Sequence, residues 1–193
     1  MQKAIVTRKT KETDIRLELE LDGGKKTEID TGIGFFDHML TAMAVHAGMS
    51  LSLSCKGDLE VDCHHTVEDV GIVLGQALKQ ALGDKAGIAR YGSFSLPMDE
   101  SLAMVSMDIS GRPYLVFRCE FDKAEIGTMD TQTIEEFFRA LAFNAGITLH
   151  MSLFYGKNDH HKAEALFKAF AHALKEAVRR TGDGILSTKG VLA

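Results

Sequence analysis

The sequence predicts an α+β protein of tandem duplicated half-domains, 1–90 and 91–193, together one compact unit. Three observations predict it. Segments with alternating apolar residues precede segments with helical spacing, and this order runs twice along 193 residues. A helical segment ends on Ala-Gly in each half. Ala-Met-Ala-Val-His-Ala-Gly at 42–48 lies over Ala-Leu-Ala-Phe-Asn-Ala-Gly at 140–146, an offset of 140 − 42 = 98. The pattern His-His-x-x-Glu opens a further helical stretch at 64–68 and again at 160–164, an offset of 160 − 64 = 96. Each unit has one sheet face covered by helices, and two such units pack around a pseudo-twofold axis.

In the first half, Ala4 to Arg8 and Ile15 to Leu21 alternate as strands. Asp22-Gly23-Gly24-Lys25 reads as a hairpin-type turn. Phe35, Met39, Ala42 and Met43 have helical spacing from Gly34 to Val45, and Ala47-Gly48 stops that helix. Ser50 to Cys55 alternates again. A helix then runs to about Leu82, with Val67, Val70, Leu74, Ala77, Leu78 and Leu82 on its apolar side. In the second half, Leu102 to Ile109 and Pro113 to Phe121 read as strands. Thr131 to Phe143 reads as a helix stopped by Ala145-Gly146. Ile147 to Tyr155 reads as a strand and His160 to Val178 as a helix.

Bulk composition narrows the function. The chain is 45% hydrophobic and 25% charged, the balance of an ordinary globule with a sizeable core. A net charge of −5, with no basic run or aromatic-basic stripe, argues against nucleic acid but leaves room for a small anionic ligand. No segment approaches the length of a membrane span, and the N-terminus lacks the apolar core of a signal peptide. Cys55, Cys63 and Cys119 are too few and too scattered for a disulfide framework. They point to small buried side chains in a reducing cytoplasm.

The histidine motifs carry the chemistry. Imidazole nitrogen and carboxylate oxygen suit divalent metals, and the first His and the Glu of each motif are four residues apart. On a helix that spacing puts His64 with Glu68, and His160 with Glu164, on one face. The second histidines, His65 and His161, point about 100° away and are free to serve a different ion. Two such helices can build a dinuclear site. The repeat adds one position: His38 maps to residue 136, a glutamate, and both are metal-competent. His46, His172 and His150 read as a polar helix end, a surface or packing residue, and a hydrogen-bonded core residue.

Four longer stretches now join into one resemblance. They are Phe36-Asp37-His38-Met39, Asp62-Cys63-His64-His65-Thr66-Val67-Glu68-Asp69, Ser110-Gly111-Arg112-Pro113, and Asn158 to Ala169. In this order they resemble the imidazoleglycerol-phosphate dehydratase family over essentially the whole chain, from Thr10-Lys11-Glu12-Thr13 to the tail Ser187-Thr188-Lys189-Gly190-Val191-Leu192. The resemblance implies a ribosomal-protein-like duplicated fold, each half a mixed four-stranded sheet with helices on one face. It implies two Mn²⁺ ions per active site, held by His38, His64, His65, Glu68, His160, His161 and Glu164. The family often has histidine as an eighth ligand where this chain has Glu136. The resemblance also implies a 24-subunit shell with sites between subunits. Glu12 matches a residue that reaches the substrate, a candidate acid or base beside Glu68 and Glu164. Arg90, Arg112, Ser187, Thr188 and Lys189 match contacts to the substrate phosphate.

The implied reaction is dehydration of D-erythro-imidazole glycerol phosphate to imidazole acetol phosphate in L-histidine biosynthesis. It passes through a metal-held imidazolate and a diazafulvene. The residues by themselves leave two other readings open. A dinuclear metallohydrolase would use the same ligands, and a metal-storage or metal-sensing shell would use paired ligand helices.

Overall fold

The computed structural model describes residues 3–22, 26–190 and 192. In the first half, strands β1 (Lys3–Lys9), β2 (Thr13–Glu20) and β3 (Thr27–Asp30), helix α1 (Gly34–Ala47), strand β4 (Ser50–Gly57) and helix α2 (His64–Leu82) follow in order. The second half contains β5 (Tyr91–Met98), β6 (Ser101–Asp108), β7 (Tyr114–Arg118), β8 (Glu125–Ile126), β9 (Met129–Asp130), α3 (Gln132–Ala145), β10 (Thr148–Tyr155) and α4 (Asp159–Ala177).

The two main sheets have one topology. Their orders are β1-β2-β4-β3 and β5-β6-β10-β7. The last-named pair of each, β4 with β3 and β10 with β7, is parallel, and the other pairs are antiparallel. This is the duplication that the sequence predicts and the mixed four-stranded arrangement that the resemblance implies. Three differences follow from local chemistry. The turn expected at residues 22–25 falls largely outside the described residues, and β2 and β3 do not form a hairpin, because β4 lies between them. Strand β3 is only four residues long with one apolar side chain, Ile29, so no alternation announces it. Strand β5 (Tyr-Gly-Ser-Phe-Ser-Leu-Pro-Met) is an edge strand, where Gly92 and Pro97 are tolerated.

The second half also carries an insertion. Thr27 pairs with Leu51 and Leu115 with Leu149, so the strand offset is 115 − 27 = 88, whereas the helix offset is 98. The ten extra residues between β7 and α3 contain the small β8–β9 ladder.

Each sheet buries one face. On β2, Thr13, Ile15, Leu17 and Leu19 are buried and their neighbours are not. Helix α2 packs on β1 and β2, and α4 packs on β5 and β6. The helices also pair between the halves: α1 with α4, and α2 with α3. Phe36, Phe137, Phe138, Phe167 and Phe170 are all fully buried here. Phe36 meets Phe137 edge-on, and Phe137 stacks on Phe167 with ring centroids 5.5 Å apart. Each such ring contributes about 1.5–3 kcal/mol through burial.

Both helix pairs run parallel. Gly71 of α2 faces Phe137 and Ala140 of α3, and Gly75 faces Leu141 and Asn144 one turn on. His38 of α1 faces His160 of α4, and His46 faces His172. Parallel pairing brings two helix starts together at one end of each pair. The predicted stops hold: Gly48 and Gly146 both adopt the left-handed conformation, with φ of 72° and 70°.

Candidate active site

Three predicted ligands converge at the start of the α1–α4 pair. One ligand atom each from His38, His160 and Glu164 lies within 4.8 Å of the others. His160 Nε2 is 3.4 Å from Glu164 Oε2, as the four-residue spacing requires. The His160 ring packs edge-on against Phe35. Its backbone N–H is capped by Asn158 Oδ1 at 2.9 Å, which fixes the first turn of α4. Burial would raise the Glu164 carboxyl, but Lys168 at 2.7 Å, with His38 and His160 nearby, holds it below its ordinary value.

At the start of the α2–α3 pair, His64 Nε2 is 3.6 Å from Glu68 Oε2. Glu136 stands on α3 one residue before the Phe137 that meets Gly71, which places its turn beside Glu68. Its carboxylate faces Arg139 Nε at 3.5 Å. Among the described residues, His38, His160 and Glu164 alone form a group of three close donors, so Glu136 does not complete a second one in this chain.

The second histidine of each motif points elsewhere, as its place on the helix predicts. His65 accepts no share in the His64–Glu68 contact: its Nδ1 is 3.0 Å from Asp58 Oδ2 and its Nε2 is 3.8 Å from Glu12 Oε1. Glu12 therefore sits beside the first motif. Thr13 Oγ1 donates to the buried Asp69 at 2.5 Å and so ties this segment to α2. His161 Nδ1 is 2.7 Å from Glu100 Oε2, and its Nε2 is 3.6 Å from Asp99 Oδ2. The backbone N–H of Asn158, then His161 and the N–H of Lys157, hold the Glu100 carboxyl well below the usual carboxylate range.

The expected phosphate contacts gather at a separate cavity of about 880 Å³, lined by Arg90, Arg112, Ser187, Thr188 and Lys189 among others. Arg90 is already engaged. It donates to both Asp108 oxygens at 2.7 and 3.0 Å and to Leu186 O at 2.6 Å, and its backbone takes the left-handed region at φ 72°. Arg112 is different, with a side chain 66% exposed and Asp108 no nearer than 3.8 Å. Arg112 Nε also donates to Ser110 Oγ at 3.5 Å, so Arg112 is less committed than Arg90, which anchors the tail.

This cavity lies at the far end of α4 from the histidines. The Arg90 N–H bonds to Ala177 O at the helix C-terminus, and His160 opens the N-terminus. Seventeen residues of helix separate them, about 25 Å at 1.5 Å per residue.

Sequence reasoning did not find Asp58, Asp99 and Glu100. Glu100 is the counterpart of Glu12 at the strand offset of 88, a correspondence hidden by the inserted β8–β9 segment. His150, expected in the core, is exposed on β10. The cysteines are free. Burial pushes the Cys55 and Cys119 thiols up to about 12, and Cys63 accepts from the Asp130 N–H rather than joining the ligands.

Fold and site together define a duplicated α+β protein with histidine–carboxylate clusters at its helix starts. A sequence profile described as Imidazoleglycerol-phosphate dehydratase matches residues 31–174. A protein of that name from Acetivibrio thermocellus is 59% identical over 189 residues, 97% of each chain. One from Streptococcus sanguinis is 57% identical over the full length of both. The crystal structure of Imidazoleglycerol-phosphate Dehydratase from Staphylococcus aureus superposes with a TM-score of 0.85 at 44% identity, covering 93% of this chain and 99% of that one. A Pyrococcus furiosus structure, in complex with (S)-C348, also gives 0.85, at 40% identity and 97% and 100% coverage. The chain belongs to the imidazoleglycerol-phosphate dehydratase family.

Proposed function

We propose that the chain removes water from D-erythro-imidazole glycerol phosphate to give imidazole acetol phosphate, a step of L-histidine biosynthesis, with two Mn²⁺ ions per active site. The observation that carries this reading is the convergence of His38, His160 and Glu164 within 4.8 Å at two parallel helix starts. The donor set fits the metal, since imidazole nitrogen and carboxylate oxygen are both ligands Mn²⁺ accepts. His38, His160 and Glu164 would hold one ion. His64 and Glu68, with Glu136 beside them, offer the equivalent donors in the other helix pair, and His65 and His161 supply the remaining nitrogens.

When bound, the ions supply Lewis acidity that stabilises the substrate ring as imidazolate. The chemistry needs this because the hydrogen to be lost sits on a carbon with no adjacent carbonyl. Electron push from the ring expels hydroxide from the carbon next to it and gives a diazafulvene. The following C–H is then acidic enough to be removed by a carboxylate, the ring is reprotonated, and the enol becomes the ketone. Glu12, 3.8 Å from His65 Nε2 and 53% exposed, would move that proton. Arg112 and Lys189, with the hydroxyls of Ser187 and Thr188, hold the phosphate.

One small substrate cannot reach both the histidines and the phosphate cavity of a single chain across the length of α4. The site is therefore shared: the metal end of one copy meets the cavity of another, in keeping with a closed homo-oligomer such as a 24-subunit shell. Incubating the protein with imidazole glycerol phosphate and Mn²⁺ should yield the ketone. If the substrate is returned intact in the presence of saturating metal, the reading fails.

A further inference from the structure

We propose that Glu100 is a positioning residue for His161, and that Asp58 is its counterpart for His65: each carboxylate keeps the imidazole proton on Nδ1 and leaves Nε2 as the donor nitrogen. The inference rests on the reading of His65 and His161 as metal ligands. Glu100 Oε2 is 2.7 Å from His161 Nδ1. Its other oxygen accepts the backbone N–H groups of Asn158 at 2.7 Å and Lys157 at 3.0 Å, with Ser101 Oγ at 3.3 Å. A carboxylate so placed is an acceptor only, so Nδ1 is the donor, and the neutral ring that binds a metal carries its lone pair on Nε2. Asp58 Oδ2 stands 3.0 Å from His65 Nδ1, while its other oxygen is buried without a hydrogen-bond partner among the described residues.

The two carboxylates do not occupy equivalent positions. Gly57 packs beside Thr13 and Thr66, and Gly156 packs beside Ser101 and Lys162. These neighbours correspond at the strand and helix offsets (13 + 88 = 101 and 66 + 96 = 162). Asp58 therefore corresponds to Lys157, and Glu100 corresponds to Glu12. In the second half lysine stands after β10 where aspartate follows β4, and the acid before β6 has turned to Nδ1 instead. The same contact is rebuilt from a different place in the chain. Asp58 holds His65 Nδ1 and Glu12 keeps only a 3.8 Å contact to His65 Nε2, whereas Glu100 is committed to His161 and two backbone N–H groups.

Glu100→Gln gives a sharp test because it is isosteric. The amide oxygen must face the N–H groups of Lys157 and Asn158, which leaves the NH₂ against His161 Nδ1. That arrangement favours the proton on Nε2 and blocks the donor. Mn²⁺ would be titrated into metal-stripped protein and free Mn²⁺ followed by electron paramagnetic resonance, for wild type, Glu100→Gln, His161→Ala and the double variant. Glu100→Gln should weaken Mn²⁺ binding at least about tenfold, the scale of lost partners to metal-ligating histidines. Added to His161→Ala, it should cost nothing more. Wild-type affinity in Glu100→Gln, or an undiminished further loss in the His161→Ala background, would overturn the proposal. Unchanged affinity in His161→Ala would instead overturn the ligand reading beneath it. If Glu100→Gln does not fold, Asp58→Ala with His65→Ala carries the same comparison, because alanine removes the acceptor outright.

Discussion

Glu164 of α4 and His38 of α1 come from opposite halves of the duplicated chain, yet their donor atoms lie within 4.8 Å. The cluster exists only because α1 crosses to pack on α4. Glu164→Gln keeps the shape of the side chain and removes its charge. Mn²⁺ content and turnover should fall together in Glu164→Gln, and likewise in Glu68→Gln, as measured by elemental analysis alongside the ketone assay. Full activity with half the metal would contradict the two-ion reading.

Glu12 touches the first motif without belonging to it. Loss of a general acid or base costs about 10²–10⁴ in rate. Glu12→Gln should therefore lower kcat by roughly that factor while Mn²⁺ content stays at the wild-type level. Normal turnover would remove the role.

Arg112 and Arg90 line one cavity but differ in what they already hold. Arg112 is exposed, and losing a charged hydrogen bond costs about 1.5–3 kcal/mol, so Arg112→Ala should raise KM roughly ten- to a hundredfold with metal binding intact. Arg90 spans Asp108 and Leu186, so Arg90→Ala should also loosen the tail, seen as faster proteolysis after residue 180.

The separation along α4 gives a test of the shared site. Chains with Glu164→Gln and chains with Arg112→Ala should each be inactive or weak. Refolded together, they should recover activity, because mixed contacts pair an intact metal end with an intact cavity. No recovery in co-assembled protein would place both residues in one chain's site.

A Cβ at Gly71 would lie 2.6 Å from Phe137 O, in backbone that cannot swing aside. Alanine gains about 1 kcal/mol in helix propensity, but overpacking costs about 1–3 kcal/mol and both helix starts must shift. Gly71→Ala should lower Tm and weaken Mn²⁺ binding in the same protein, measured by calorimetry and titration.

The sequence by itself determined the local features. Period and stop signals marked all four helices, because helical spacing and Ala-Gly ends are properties of neighbouring residues. Four-residue spacing paired His64 with Glu68 and His160 with Glu164, and the 100° step sent His65 and His161 to other partners. Strands β3 and β5 escaped, since one is too short to alternate and the other is an edge strand broken by Gly92 and Pro97. Only the tertiary structure decided which helices pair. The repeat offsets hold equally well whether α1 packs on α2 or on α4; in the folded chain α1 packs on α4, and its Phe36 meets the buried Phe137 of α3. That crossing puts His38 with the second motif; strand register reveals the Glu12–Glu100 correspondence across a ten-residue insertion, and the length of α4 separates the Arg90–Arg112 cavity from His160. Contacts between residues far apart in sequence depend on shape and packing across the whole molecule, which no local pattern of residues encodes.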